Sequence, residues 1–301
     1  MYLQRTIRNK IRVEGTGLHT GKPASLVFCP APENSGVHFV RRDLEGSPYV
    51  SPKAQFVQAT NMATTLGGKY FSVSTVEHCL SAVAALRIDN LIIELEGPEI
   101  PIGDGSAKVF FDALVESGIL EQEQPRKYIR ITRPVYFGDG QKHAYIVPYN
   151  GLRITCEIFF DHPAIGGQKI DIDVNQNSFG KELAGARTFG FMKDVEALQK
   201  AGLALGGSLD NAVVLDEEKV LNESGLRWPD EFVRHKALDA VGDLVNLGNP
   251  LLGHVVLFRA GHEVMNQLIQ KLQDSPDSYQ IMELGGDLPP IWRESRHAWL
   301  R

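Results

Sequence analysis

The same succession of helix, strand and helix is written twice along this chain. In the first half, "STVEHCLSAVAALRI" (74–88) has the period of a helix, with Ser74 as N-cap and Glu77 three residues later completing a capping box. "NLIIELEG" (90–97) reads as a strand, and "AKVFFDALVESG" (107–118) as a second helix stopped by Gly118. In the second half, "EFVRHKALDAVGDLVNLGNP" (231–250) is a helix ended by Gly248 and Pro250, "GHVVLFRAG" (253–261) a strand and "HEVMNQLIQKLQD" (262–274) a helix. This repetition predicts two copies of one α+β unit.

The polar, proline-containing segment "LEQEQPRK" (120–127) divides the halves, predicting a first domain over 1–123 and a second over 124–301. Ahead of the first helix, "SLVFC" (25–29) and "VHFV" (37–40) read as strands. The second unit is longer because of an insertion around 183–225, where "ARTFGFM", "LGGSLDN" and "NESG" look like loops around short elements. A net charge of −6 argues against nucleic acid as the main partner, since neutralising phosphates takes a basic face. Cys29, Cys79 and Cys156 are odd in number, widely spaced and without a CxxC pair, so neither a disulfide framework nor a thiolate zinc cluster is expected. No apolar run opens the chain or reaches the ~18 residues of a membrane helix, and the expectation is a cytoplasmic, reducing location without a transmembrane segment.

His235, Asp239 and Asp243 recur every four residues in the 231–250 helix. Positions four apart drift by only about 40° around a helix, so the three share one face. Val233, Ala237, Ala240, Val241 and Leu244 share the opposite one. On spacing alone two readings stay open. One is a core helix with a solvated polar side. In the other, His235 and Asp239 bind one metal ion, because a neutral imidazole and a carboxylate at i and i+4 suit zinc. A catalytic site needs a third protein ligand, for which His78, at the matching place in the first unit, is the candidate. The adjacent Glu77 is a carboxylate for general-base work, although its capping-box role competes with that. Cys79 points about 100° away from His78 around the helix and belongs to the core. "HEVMN" begins like a HExxH zinc motif but has Asn266 in place of the second histidine, which leaves His262 as an acid–base candidate. "GTGLHTGK" (15–22) misses the spacing of a phosphate loop and is followed by Pro23 and a strand, so a turn is expected.

Several of these stretches occur in one order in a known family. From "QRTIRNKIRVEGTGLHTG" to about residue 285, through "STVEHCLSA", "IDNLIIEL", "EIPIGDGSA", "ARTFGFM", "LGGS", "VLNESGLR", "DEFVRHKALDAVGDL" and "AGH", the chain resembles the UDP-3-O-acyl-N-acetylglucosamine deacetylases, the zinc enzymes of lipid A biosynthesis in Gram-negative bacteria. VEH and HKxxDAxGDL together in one chain are the specific part of the match. The resemblance implies an α+β fold of two duplicated domains, each a β-sheet with helices on one face, the helices packed between the two sheets and the active site between the domains. It implies His78, His235 and Asp239 as ligands to zinc, with ferrous iron as the other metal to consider. It implies Glu77 as the general base toward water, and His262 as the cation that stabilises the oxyanion and protonates the leaving amine, oriented by Asp243. Thr188 would donate a hydrogen bond to the oxyanion, Lys236 anchor the substrate, Phe189 line an acyl-chain passage and Phe160 stack on the uracil. The implied reaction removes the N-acetyl group of UDP-3-O-(3-hydroxyacyl)-N-acetylglucosamine, giving UDP-3-O-acyl-glucosamine and acetate. A monomer acting on a small-molecule acylated UDP-sugar is expected. The chain departs from the family pattern at Gly103, where methionine is usual, at Cys79, where leucine is usual, and over 263–265. A different zinc hydrolase and a duplicated binding module with solvated helix faces are the rival readings.

Overall fold

The computed structural model describes residues 2–284, so residues 285–301 of the expected second domain lie outside the described ones. Six helices, Glu77–Ala85 (α1), Lys108–Glu116 (α2), Gln176–Ser178 (α3), Met192–Lys200 (α4), Glu231–Asp243 (α5) and His262–Gln273 (α6), accompany several sheets in a mixed α+β arrangement.

The repetition seen in the sequence extends to strand pairing. In the first unit Leu91–Glu96 pairs antiparallel with Pro23–Pro30 and parallel with Val37–Arg41, with Ile11–Thr16 and Tyr49–Val50 outermost. In the second, Leu251–Phe258 pairs antiparallel with His143–Val147 and parallel with Leu152–Phe160, and Val135–Gly138 and Gly166–Asp173 take the corresponding outer places. Each central strand follows one long helix and precedes another: α1 and α2 in the first unit, α5 and α6 in the second. The second sheet also gains Lys127–Ile131 and Tyr279–Glu283. The segment expected to divide the units lies largely in the strand Ile119–Pro125, which pairs back onto Leu3–Ile7. The 183–225 insertion holds α4 and a short parallel pair, Phe189–Phe191 with Val213–Leu215.

The helices divide into two kinds. α2 and α6 bury one stripe each, Phe110, Phe111, Ala113 and Leu114 in α2, and His262, Met265, Leu268, Ile269 and Leu272 in α6. α1 and α5 are buried almost all round, because they pack on each other and each has further structure behind it. α5 has the strands Leu152–Phe160 and Gly166–Asp173 on its other side, where Ile154, Cys156, Ile170 and Ile172 point inward. The solvated-face reading of α5 therefore fails: His235, Asp239 and Asp243 are 1%, 5% and 4% exposed. Buried groups of this kind must find partners, since an unpaired buried charge costs several kcal/mol.

The start of α1 also differs from expectation. Ser74 does not cap it; its amide donates to Pro98 O and its hydroxyl accepts from Thr65 Oγ1 at 3.1 Å. Thr75 takes a left-handed conformation (φ 61), and the helix begins at Glu77. The Glu77 carboxylate is thereby free of the capping role and turns inward. α1 and α5 are in backbone contact at Gly242, where a Cβ would lie 2.1 Å from the Glu77 carbonyl oxygen. Backbone cannot yield as a flexible side chain does, so Gly242→Ala is expected to lower the free energy of unfolding by about 3 kcal/mol, the upper range for overpacking. Denaturant titration measures this, and a loss under ~1 kcal/mol would show that the helices separate without cost.

Candidate metal and acid–base site

His78 comes from the first turn of α1, and His235 and Asp239 from successive turns of α5; one ligating atom from each lies within 4.8 Å of the others. The two imidazoles meet edge to face, with ring centroids 4.9 Å apart. His78 Nε2 stands 3.6 Å and His235 Nε2 3.4 Å from Asp239 Oδ1, both longer than an ordinary hydrogen bond. His235 Nδ1 lies 3.0 Å from Ala186 O, an acceptor only, so Nδ1 carries the proton and the Nε2 lone pair faces Asp239. Burial pushes the His235 imidazole down to about 3, which keeps it neutral. Burial by itself would raise the Asp239 carboxyl; the bases around it, His235 and Lys236 foremost, reverse this and hold it well below the usual carboxylate range. Asp239 Oδ2 accepts from Lys236 Nζ at 2.8 Å, while Oδ1 has no hydrogen-bond partner among the described residues. A buried carboxylate oxygen without a donor is costly. Two imidazoles and an anionic oxygen turned on one point are a donor set that fits a divalent cation. The bond from His235 to Ala186 O is the outer support such a ligand needs.

The loop that supplies Ala186 is fixed by a buried ion pair. Arg187 Nε donates to Glu231 Oε1 at 2.8 Å, and a terminal guanidinium nitrogen donates to Glu231 Oε2 at 3.1 Å and to Gly225 O at 2.7 Å. Thr188 N donates to Gly105 O at 2.7 Å, tying the same loop to the "GDGS" turn. Gly105 has φ +86, and a Cβ there would meet Asn211 O at 2.1 Å, so this turn requires glycine.

Beside the donor set stand the acid–base groups. His262, at the first position of α6, has Nδ1 2.8 Å from Asp243 Oδ2; its Nε2 faces Glu77 Oε1 at 4.0 Å and Asp239 Oδ2 at 3.9 Å. Burial would lower the His262 pKa, but Asp243 first, then Asp239 and Glu77, outweigh it and push it up to about 9. Burial raises the Glu77 carboxyl, against the pull of His262 and His78. Cys79, next to His78, is buried in the core with its thiol pushed up by burial.

Glu77, His78, Thr188, His235, Lys236, Asp239 and His262 line one small cavity of about 20 Å³. Asp243 stands behind His262. Phe189 lies alongside, its ring 6.3 Å from that of His235 and 5.6 Å from Lys236 Nζ. Phe160 packs edge to face on Phe189, centroids 5.5 Å apart. Sequence reasoning missed the other wall, formed by Leu18, Met62 and Thr75. Leu18 sits in the "GTGLHTGK" turn, which Glu99 organises by accepting from the amides of His19 and Thr20 at 2.7 and 2.8 Å. No local pattern marks these residues.

An α+β fold that buries such a donor set between its units, with a carboxylate and a His–Asp pair against it, defines the class of metal-dependent hydrolases. The family model described as LpxC: UDP-3-O-acyl N-acetylglycosamine deacetylase matches residues 4–274, and the chain belongs to that family. It is 63% identical over 288 residues to the UDP-3-O-acyl-N-acetylglucosamine deacetylase of Bdellovibrio bacteriovorus, covering 96% of this chain and 95% of that one. It is 45% identical to the protein of that name from Myxococcus xanthus (93% and 90% covered), and 46% identical to the one from Acidithiobacillus ferrooxidans (94% and 94%).

A pH dependence follows from His262. Its pKa is raised from 6.5 to about 9 on folding, so the stabilisation is fully present below pH 6.5 and is lost as pH rises through 9. For a fully buried group the shift corresponds to the order of 3 kcal/mol. Denaturant titration of chelator-treated protein from pH 6 to pH 10 should show this fall, and Asp243→Asn should flatten it.

Proposed function

We propose that this protein hydrolyses the N-acetyl group of UDP-3-O-(3-hydroxyacyl)-N-acetylglucosamine, releasing acetate and the free amine in lipid A biosynthesis. The reading is carried by one observation: His78, His235 and Asp239 converge beside Glu77 and a His262–Asp243 pair. His78, His235 and Asp239 would hold zinc, with ferrous iron as the alternative that the same donors accept. When bound, such an ion supplies a Lewis acid that polarises the acetyl carbonyl and makes water acidic near neutral pH.

The chain's own groups do the rest. Glu77 takes a proton from the attacking water, for which a buried carboxyl of raised pKa is suited. Thr188 donates a hydrogen bond to the carbonyl oxygen as negative charge builds on it. His262, kept protonated by Asp243, stabilises that charge and gives its Nε2 proton to the amine nitrogen as the C–N bond breaks. Lys236, at the cavity rim against Asp239, anchors the substrate. Phe189 borders the acyl-chain passage, and Phe160, packed on Phe189, is assigned to the uracil. The site lies between the domains assigned to 1–123 and 124–301, with Leu18, Met62, Thr75, Glu77 and His78 from the first and Thr188, His235, Lys236, Asp239 and His262 from the second. We place the enzyme in the cytoplasm as a monomer; its three cysteines are unpaired, and no helix among the described residues is long and apolar enough to cross a membrane. The acidic net charge speaks against a nucleic-acid partner.

The test is acetate release from the acylated UDP-sugar, together with metal analysis of the purified protein. Glu77→Ala should lose ~10²–10⁴-fold in kcat while retaining its metal, as expected for removal of a general base. His235→Ala should lose the metal itself. Wild-type protein inactive on this substrate, or a His235→Ala variant with full metal content, would refute the assignment.

A further inference from the structure

We propose that Thr64 is the positioning residue of the acid–base pair, a role that rests on the functional reading above. Thr64 lies in the "NMATT" stretch, between the strands Val57–Ala59 and Thr65–Gly67, and is only 2% exposed. Its backbone amide donates to Glu77 Oε2 at 3.1 Å, and its carbonyl accepts from Val76 N at 3.4 Å, so it brackets the start of α1. Its hydroxyl donates to Asp243 Oδ1 at 2.7 Å, across the joint between the units. Asp243 Oδ2 meets His262 Nδ1 at 2.8 Å, so both oxygens of this buried carboxylate are engaged and its plane is set.

Proton accounting adds a second consequence. Thr64 Oγ1 also lies 3.4 Å from His262 Nδ1. A hydroxyl has one proton, and Thr64 gives it to Asp243 Oδ1, so toward His262 the same oxygen can only accept. Nδ1 then faces two acceptors, Asp243 Oδ2 and Thr64 Oγ1, and must carry a proton in every protonation state the ring adopts. The proton that the ring can gain or give is confined to Nε2, the nitrogen facing Glu77 and Asp239. Thr64 thus orients the Asp243 carboxylate that keeps the proton on Nδ1, and adds a second acceptor there, without itself touching the reacting atoms.

Thr64→Val keeps the side chain's shape and the amide to Glu77 but removes the hydroxyl; Thr64→Ser keeps the hydroxyl. In the metal-loaded enzyme, Val is expected to lower kcat ~10-fold or more with KM nearly unchanged, and Ser to stay within about threefold of wild type, since the lost contact acts on the transition state. In ¹⁵N-histidine-labelled protein, the His262 Nδ1 proton, identified by its disappearance in His262→Ala, should give a downfield resonance that Ser keeps and Val shifts. An unchanged kcat or resonance in the Val variant overturns the proposal. So does a Ser variant as impaired as Val, which would make the role one of packing. If the wild type does not release acetate, the functional reading fails, while the resonance still decides the role of Thr64.

Discussion

The contact of Gly242 with the backbone of Glu77 sets the spacing between α1 and α5, since any Cβ there would fall 2.1 Å from a carbonyl oxygen. That spacing lets the first turn of α1 reach the middle of α5. His78 then meets His235 and Asp239, and Glu77 comes to face His262. Two helices packed through ordinary side chains stand 8–10 Å apart. Glycine at the contact allows a closer approach, and the polar groups around it can face one point.

Closeness alone would leave a cluster of like-charged carboxylates in a buried place. The arrangement is tolerable because each acid is matched. Lys236 pairs with Asp239, His262 with Asp243, and the Thr64 amide with Glu77. The same low-dielectric surroundings that make an unpaired charge costly strengthen each of these pairs. They also separate the groups by task. His235 is kept neutral, with a lone pair to offer, and His262 is kept charged, with a proton to give. Residues of one type, on successive helices, acquire opposite chemistry from what surrounds them.

Much of this was legible in the sequence where the information is periodic. α1, α2, α5 and α6 and their central strands were visible from spacing and stop signals, and so was the repeated order. The shared face of His235, Asp239 and Asp243 follows from the helix period, but whether that face is wet or buried does not, since both have the same period. The family motifs, rather than the spacing, favoured the buried reading. Ser74 and Glu77 match a capping box, yet the Thr75 backbone turns the chain before the helix begins and sends Glu77 elsewhere. Thr64 left no trace, because its bond to Asp243 joins residues 179 positions apart and neither neighbourhood carries a pattern. The long pair Leu152–Phe160 and Gly166–Asp173 passed unread, although Ile154, Cys156 and Ile158 alternate inward as a half-buried strand should.

The strand Ile119–Pro125, paired back onto Leu3–Ile7, leads directly from the first unit into the second. The joint between the units holds a cluster of buried charged groups, Glu77, Asp239 and Asp243 among them, whereas surfaces that hold separate partners together are depleted of charged residues at their centre. As free molecules, the two halves would have to meet this desolvation cost and the loss of translational freedom together. The short tether makes their meeting intramolecular, with an effective concentration in the millimolar range or above. The chain can therefore devote the middle of its own interface to chemistry rather than to adhesion.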